Sequence, residues 1–232
     1  MKICGIQKLT LLDYPGHTAC TVFTGGCNFR CPFCHNADLV LRHETQPEIP
    51  ESEFFAFLKK RRGVLDGVAV TGGEPTLLPD LPDFLRHIRD LGYPVKLDTN
   101  GTNPSLLRRL VEDDLIQYVA MDAKNSPEKY ALTAGVKDPQ LERIWESAEY
   151  LLRGLVPYEF RTTVVREFHS ADDMEAIGQW LRGADRYFIQ SFIDSGKTIK
   201  EDLHPCSLDE LKAMLNTVRL YIPPAKLRGV QI

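Results

Sequence analysis

The chain lacks most of the features that would classify it at a glance. No apolar run is long enough to cross a bilayer. The opening residues, MKICGIQKLTLLDYPG, hold no uninterrupted apolar stretch of the kind a secretory signal needs. A cytoplasmic protein without a membrane partner is therefore expected. Excess positive charge is also missing: 28 Lys and Arg face 32 Asp and Glu, a net charge of −4. That balance gives no reason to expect nucleic acid or anionic lipid as a partner. The one basic run, Lys59 to Arg62, falls at the end of an expected helix, where positive charge suits the dipole. There is no repeat, no low-complexity segment and no Gly/Ser-rich linker. The 232 residues suffice for one α/β domain or two small ones.

What stands out is a cluster of thiols. Of six cysteines, three fall in CNFRCPFCHN as C-x3-C-x2-C: Cys27, Cys31 and Cys34, with His35 next. In a long chain read as cytoplasmic, clustered thiols point to metal or redox chemistry rather than disulfides. Cys4, Cys20 and Cys206 are scattered and are expected as small buried apolar residues. A structural zinc site takes four ligands, often as two pairs, and no second C-x2-C occurs. His35 adjoins Cys34, and adjacent side chains reach one tetrahedral ion only with strain. Three thiolates on an iron–sulfur cubane leave one iron without a protein ligand. A small chelating molecule can coordinate that iron and take an electron from it. S-adenosylmethionine, with its amino and carboxylate groups, is such a molecule.

Short β-type runs alternate with amphipathic helical stretches. Strands are expected near Thr18–Thr24, Gly67–Thr71, Val95–Thr99, Ile116–Asp122, Tyr158–Val165 and Tyr187–Phe192, with LRGVQI as a closing strand. Helices are expected over Glu51–Arg61, Asp80–Leu91, from Pro104, over Leu141–Leu152, from a cap at Asp172 or Asp173 to Leu181, and from Ser207 with Glu210 as a capping box. Strand–helix alternation implies a parallel sheet, either an open doubly wound sheet or a barrel short of eight units. The unusual residues gather at strand ends: the cysteines after the first, TGGEP (Thr71–Pro75) after the second, LDTNG (Leu97–Gly101) after the third, MDAK (Met121–Lys124) after the fourth. Arg161 lies in the fifth strand and Gln190 in the sixth. In a parallel sheet these ends share one face, so the motifs converge on one site.

GCNFRCPFCHN followed by TGGEP resembles the radical S-adenosylmethionine (radical SAM) superfamily. QKLTLLDYPG, VKLDTNGTNPSLL, YVAMDAKNSPEKY and FRTTVV extend the resemblance over nearly the whole chain, to the activating proteins of glycyl-radical enzymes. Within that group they are most similar to those serving anaerobic ribonucleoside-triphosphate reductase. The resemblance implies an enzyme of one domain, residues 1–232, folded as a partial (β/α)6 TIM-like barrel with parallel strands. It implies a [4Fe–4S] cluster on Cys27, Cys31 and Cys34, with Phe33 near the adenine of S-adenosylmethionine and His35 close by. Gly72, Gly73 and Glu74 would form an edge receiving the methionyl amino group. Lys124 suits the carboxylate or ribose. Asp98 and Asp122 would orient Lys124, touch the ligand, hold a cation between them, or cap the following turns. Arg161 would bridge to the ligand carboxylate or to Asp122, or form a structural ion pair; Gln190 would reach the ribose. Asn100 and Gly101 would shape their loop. The partners implied are the glycyl-radical enzyme and a flavodoxin or ferredoxin as electron donor. DYPG stands where many activating proteins have DGPG, which leaves the role of that turn open. Competing readings are an activase of another glycyl-radical enzyme, a radical SAM enzyme acting on a small molecule such as a deazaguanine synthase, and a non-catalytic zinc or iron–sulfur protein.

Overall fold

The computed structural model describes residues 1–194 and 196–230. Among them, eight strands lie in one sheet in chain order. They are β1 (Ile3–Thr10), β2 (Ala19–Thr24), β3 (Gly67–Gly72), β4 (Val95–Thr99), β5 (Tyr118–Asp122), β6 (Tyr158–Val164), β7 (Tyr187–Ser191) and β8 (Lys226–Arg228). From β2 to β8 every pairing is parallel; β1 pairs antiparallel with β2. The helices are α1 (Ala37–Leu41), α2 (Glu51–Lys60), α3 (Leu81–Asp90), α4 (Pro104–Glu112), α5 (Tyr130–Ala134), α6 (Leu141–Leu152), α7 (Ala171–Trp180) and α8 (Leu208–Arg219). This is the α/β architecture of a partial barrel, with parallel strands alternating with helices.

Each strand sorts its residues by the two-residue period of the pleat. Cys20, Val22, Val68, Val70, Val95, Leu97, Val119, Met121, Phe160 and Ile189 belong to the main buried core. Their neighbours Thr21, Phe23, Asp98, Asp122, Arg161, Thr163 and Gln190 line an interior cavity instead. The apolar half of the pattern makes the sheet; the polar half furnishes its lumen.

β1 escaped the sequence reading. In ICGIQKLT only the terminal Ile3 and Thr10 are buried, so no clean alternation marks it. It is an edge strand with two register shifts. Its exit carries the DYPG turn. The Tyr14 ring sits 6.0 Å from that of Tyr118, and the two form a small separate cluster with Ala19. Ala19, Gly67 and Tyr118 each begin a parallel strand, and a Cβ on Gly67 would press against the Tyr14 ring. Tyr14 therefore plugs the N-terminal end of the barrel, a volume no glycine could fill.

Capping also differs in one place. The α7 box uses Ser170 as the cap, with Asp173 at the third helical position, rather than a cap at Asp172 or Asp173. The Ser207–Glu210 box forms as expected. Trp145, which fits the apolar period of α6, is 37% exposed. Cys20 and Cys206 are buried, whereas Cys4 is only half-buried. Of the LRGVQI segment only Leu227 and Arg228 join β8, which begins one residue earlier at Lys226, and residues 231 and 232 lie outside the described residues. No helix among the described residues is long and apolar enough to cross a membrane.

Candidate active site

The C-terminal ends of the parallel strands surround a cavity of about 660 Å³, within the range of small-molecule sites. All thirteen residues singled out in the sequence for cluster or ligand line it: Cys27, Phe33, Cys31, Cys34, His35, Gly72, Gly73, Glu74, Asp98, Asp122, Lys124, Arg161 and Gln190.

The cysteine loop is held by backbone. Arg30 N–H donates at 2.8 Å to the carbonyl of Ala134, the last residue of α5, and Lys200 N–H donates to Pro32 O at 2.9 Å. The exit of β3 closes the other side: Gly73 N–H bonds Thr24 O at 2.9 Å and Glu74 N–H bonds Gly26 O at 2.8 Å. This approach explains both glycines. Gly72 has φ +125°, and a Cβ there would run into the Thr24 backbone; a Cβ on Gly73 would overlap the Gly26 carbonyl. The Asn36 amide donates to Gly72 O at 3.2 Å.

Three thiols on one short loop suit a cluster. Burial pushes Cys27 up to about 12 and Cys31 up to about 11, and raises Cys34. Left alone they stay protonated, so a positive metal centre is what would make them thiolates. Phe29 N–H already donates to Cys27 Sγ at 3.3 Å, the hydrogen bonding that tunes cluster sulfurs. Among the described residues no three Cys, His, Asp or Glu side chains converge on a single metal ion. A cubane instead takes each thiolate at a different iron. His35 lies 5.6 Å from the ring of Phe192, stacked on it. Burial lowers its pKa, partly opposed by Asp194. Phe33 is buried against Phe168 and His169.

The Glu74 carboxylate is occupied internally. Oε1 accepts from Thr76 N–H (3.1 Å), Thr76 Oγ1 (2.5 Å) and Thr99 Oγ1 (2.8 Å), and Oε2 from Asn100 N–H (2.6 Å). Burial raises its pKa against these bonds. Its side chain ties β3 to β4, and the backbone is what this turn offers a ligand. Asn100 Nδ2 donates to Asn28 Oδ1 at 2.8 Å, so Asn100 also braces the cysteine loop.

The floor is a ladder of alternating charge. Lys96 Nζ bonds Asp98 Oδ1. Asp98 Oδ2 takes Arg161 Nη1 at 3.1 Å, Asp122 Oδ1 takes Arg161 Nε at 3.0 Å, and Asp122 Oδ2 takes Lys124 Nζ at 2.8 Å. Each of the four carboxylate oxygens thus has one cationic partner. The cation between Asp98 and Asp122 is a guanidinium of the chain itself. Burial raises both carboxylates, but Arg161 with Lys96 holds Asp98 below its usual range, and Arg161 with Lys124 holds Asp122 well below. Capping is not their role. The free valences left on this floor are donors, on Arg161 Nη2 and Lys124 Nζ. That is a surface for an anionic group.

Some contributors were not singled out from the sequence. Lys96 is 2% exposed in the middle of β4. His169 accepts Val165 N–H at Nδ1 (3.1 Å) and faces Lys124 O with Nε2 (2.9 Å), so a neutral Nε2–H imidazole anchors the backbone of Lys124. Glu159 pairs with both terminal nitrogens of Arg228, at 2.6 and 2.9 Å, beneath the ladder. The only signal for these was parity: Lys96 and Glu159 stand two residues before Asp98 and Arg161.

Comparison with known proteins gives concordant results. The family model of the radical SAM superfamily matches residues 21–181. A glycyl-radical enzyme activating enzyme of Methanocaldococcus jannaschii is 34% identical over 197 residues, 82% of this chain and 79% of the relative. A 7-carboxy-7-deazaguanine synthase of Thermoplasma acidophilum is 35% identical over 112 residues, 48% of this chain and 49% of the relative. Among solved structures, SuiB of Streptococcus suis bound to S-adenosylmethionine superposes with a TM-score of 0.68 at 19% identity, covering 90% of this chain and 49% of that one. The chain therefore spans most of the first relative and about half the length of the other two.

Proposed function

The chain belongs to the radical SAM superfamily, and from that premise we propose that it is the activase of a glycyl-radical enzyme, most specifically of anaerobic ribonucleoside-triphosphate reductase. Its cofactors are a [4Fe–4S] cluster and S-adenosylmethionine. The observation that carries the activase reading is the 34% identity to the Methanocaldococcus jannaschii activating enzyme over most of both chains. The match to the deazaguanine synthase covers only about half of each chain. In this reading one domain works in the reducing cytoplasm, with a flavodoxin or ferredoxin as donor.

Cys27, Cys31 and Cys34 are the residues that would hold the cluster. Once bound there, the cluster would supply the one-electron reduction of S-adenosylmethionine that hydrogen abstraction from a partner's glycine Cα requires. The rest is positioning. The backbone of Gly72 and Gly73 receives the methionyl ammonium, and the free donors of Arg161 and Lys124 receive its carboxylate. Phe33 borders the adenine, with His35 beside it, and Gln190 borders the ribose. Beyond these residues the cavity continues to Gln7 and Asp13 on one side and Arg228 and Gly229 on the other.

The test mixes purified protein, reductant and S-adenosylmethionine with candidate glycyl-radical proteins, without oxygen. A glycyl doublet by electron paramagnetic resonance is expected on the anaerobic reductase. A signal only on another candidate moves the assignment to that partner. Cleavage of S-adenosylmethionine with no signal on any candidate overturns the activase reading.

A further inference from the structure

Lys96 is a lysine almost wholly shut off from solvent. It is 2% exposed, sits mid-strand in β4, and does not line the cavity. Among the described residues its ammonium has one hydrogen-bond partner, Asp98 Oδ1, and its charge also reaches the buried Glu159 carboxylate. Burying an ammonium is costly, and a well-packed apolar residue there would often stabilise the fold as well or better. A stability role alone explains Lys96 poorly.

Its place in the ladder suggests what it does. Asp98 and Asp122 share one guanidinium, each giving it one oxygen. Asp122 has Lys124 for its second oxygen. Asp98 has Lys96. Without Lys96 the second oxygen of Asp98 would carry unpaired negative charge beside the donors that meet the ligand. It could also pull the guanidinium out of its bridging geometry, turning Arg161 Nη2 away.

We propose that Lys96 is a positioning residue for S-adenosylmethionine: by engaging the outer oxygen of Asp98 it locks the Arg161 bridge and keeps the floor a donor surface for the ligand carboxylate. This rests on reading the Arg161–Lys124 floor as the carboxylate site.

The experiment measures S-adenosylmethionine dissociation constants by equilibrium dialysis on anaerobically reconstituted holoprotein. Lys96→Met is expected to weaken binding on the order of tenfold. Lys96→Arg, which can hold the same oxygen, is expected within about threefold of the natural protein. In an Asp98→Asn background, Lys96→Met should cost nothing further, because its target charge is gone. Should Lys96→Met fail to fold, Lys96→Gln carries the same expectation, since it removes the charge and keeps a donor. Natural affinity in the uncharged variant overturns the proposal. So does equal weakening by Met and Arg, or an undiminished effect in the Asp98→Asn background; both indicate packing alone. Arg161→Met separates the premise from the inference. If it too leaves binding unchanged, the carboxylate site lies elsewhere; if it alone weakens binding, Lys96 is not a positioning residue.

Discussion

Replacing Arg161 by Met removes the one group that touches both floor carboxylates while keeping most of the side-chain volume. Taking one partner from a buried ion pair typically costs about 3–5 kcal/mol, because a charge is left uncompensated. Two observations reduce the figure here. Asp98 keeps Lys96 and Asp122 keeps Lys124, and the carboxylates are 18% and 29% exposed, so water reaches them in part. A loss of about 2–3 kcal/mol at pH 7.5 follows, equivalent to roughly 6–10 °C in melting temperature for a chain of this size.

The pH dependence gives the sharper test. In the natural protein both carboxylates titrate below their unfolded value of about 3.9. Their contribution is present above that value and is lost only as pH falls through the lower folded one. Between pH 8 and 5.5 it is constant. Without Arg161, burial and mutual repulsion remain while the largest lowering influence is gone, so both groups shift upward. Proton uptake on acidification then relieves the repulsion, and the deficit relative to the natural protein narrows as pH falls through those raised folded values. Thermal and urea unfolding of anaerobically prepared protein, followed by fluorescence of Trp145 and Trp180, measures both quantities. A deficit under about 1 kcal/mol, or one that does not change with pH, refutes the bridge as the organising contact.

Other expectations are simpler. Gly73→Ala puts a methyl onto the Gly26 carbonyl and breaks the join between β3 and the cysteine loop. Iron and sulfide per chain after reconstitution should fall by at least about half, whereas Gly154→Ala, strained at φ +68° but open to solvent, should cost about 1 kcal/mol and leave iron unchanged. His169→Phe strips Val165 N–H and Lys124 O of their partner, and a loss of about 1–3 kcal/mol is expected by urea unfolding. Burial holds the folded pKa of His169 below its unfolded value. Its contribution is thus full above the unfolded value of about 6.5 and is lost as pH falls. The variant should lack that component of the acid-side loss, and an unchanged slope below pH 6.5 would remove His169 from the account.

How much of this was legible beforehand follows from which interactions are local in sequence. Strands β2 to β7 could be read because the alternate residues of each outer face are mostly apolar, as Val68, Val70, Val95 and Leu97 are. Their ends could be read because cysteines, paired glycines and lone charges have no use inside an apolar strand. β1 could not, because an edge strand with bulges owes its form to β2 and not to its own pattern. Nor could Tyr14: nothing in DYPG says that the turn folds under the barrel to meet Tyr118, 104 residues away in the chain. The site shows the same division. Which residues meet could be argued from strand-end placement alone; the pairings of Asp122 with Lys124 and with Arg161 were among the readings, whereas Arg161 on Asp98 and Lys96 on its outer oxygen were not. Glu74 reads as a ligand and is turned to Thr76, Thr99 and Asn100. Asp98 and Asp122 read as orienting Lys124, meeting a ligand or holding an added cation; Asp122 does hold Lys124, but their other three oxygens are already taken by Lys96 and Arg161. A barrel lumen is the cause. Every second residue of each strand faces it, so charges from β4, β5 and β6 must neutralise one another before any ligand arrives. The donors that this neutralisation leaves unpaired are what the site can offer an anionic group.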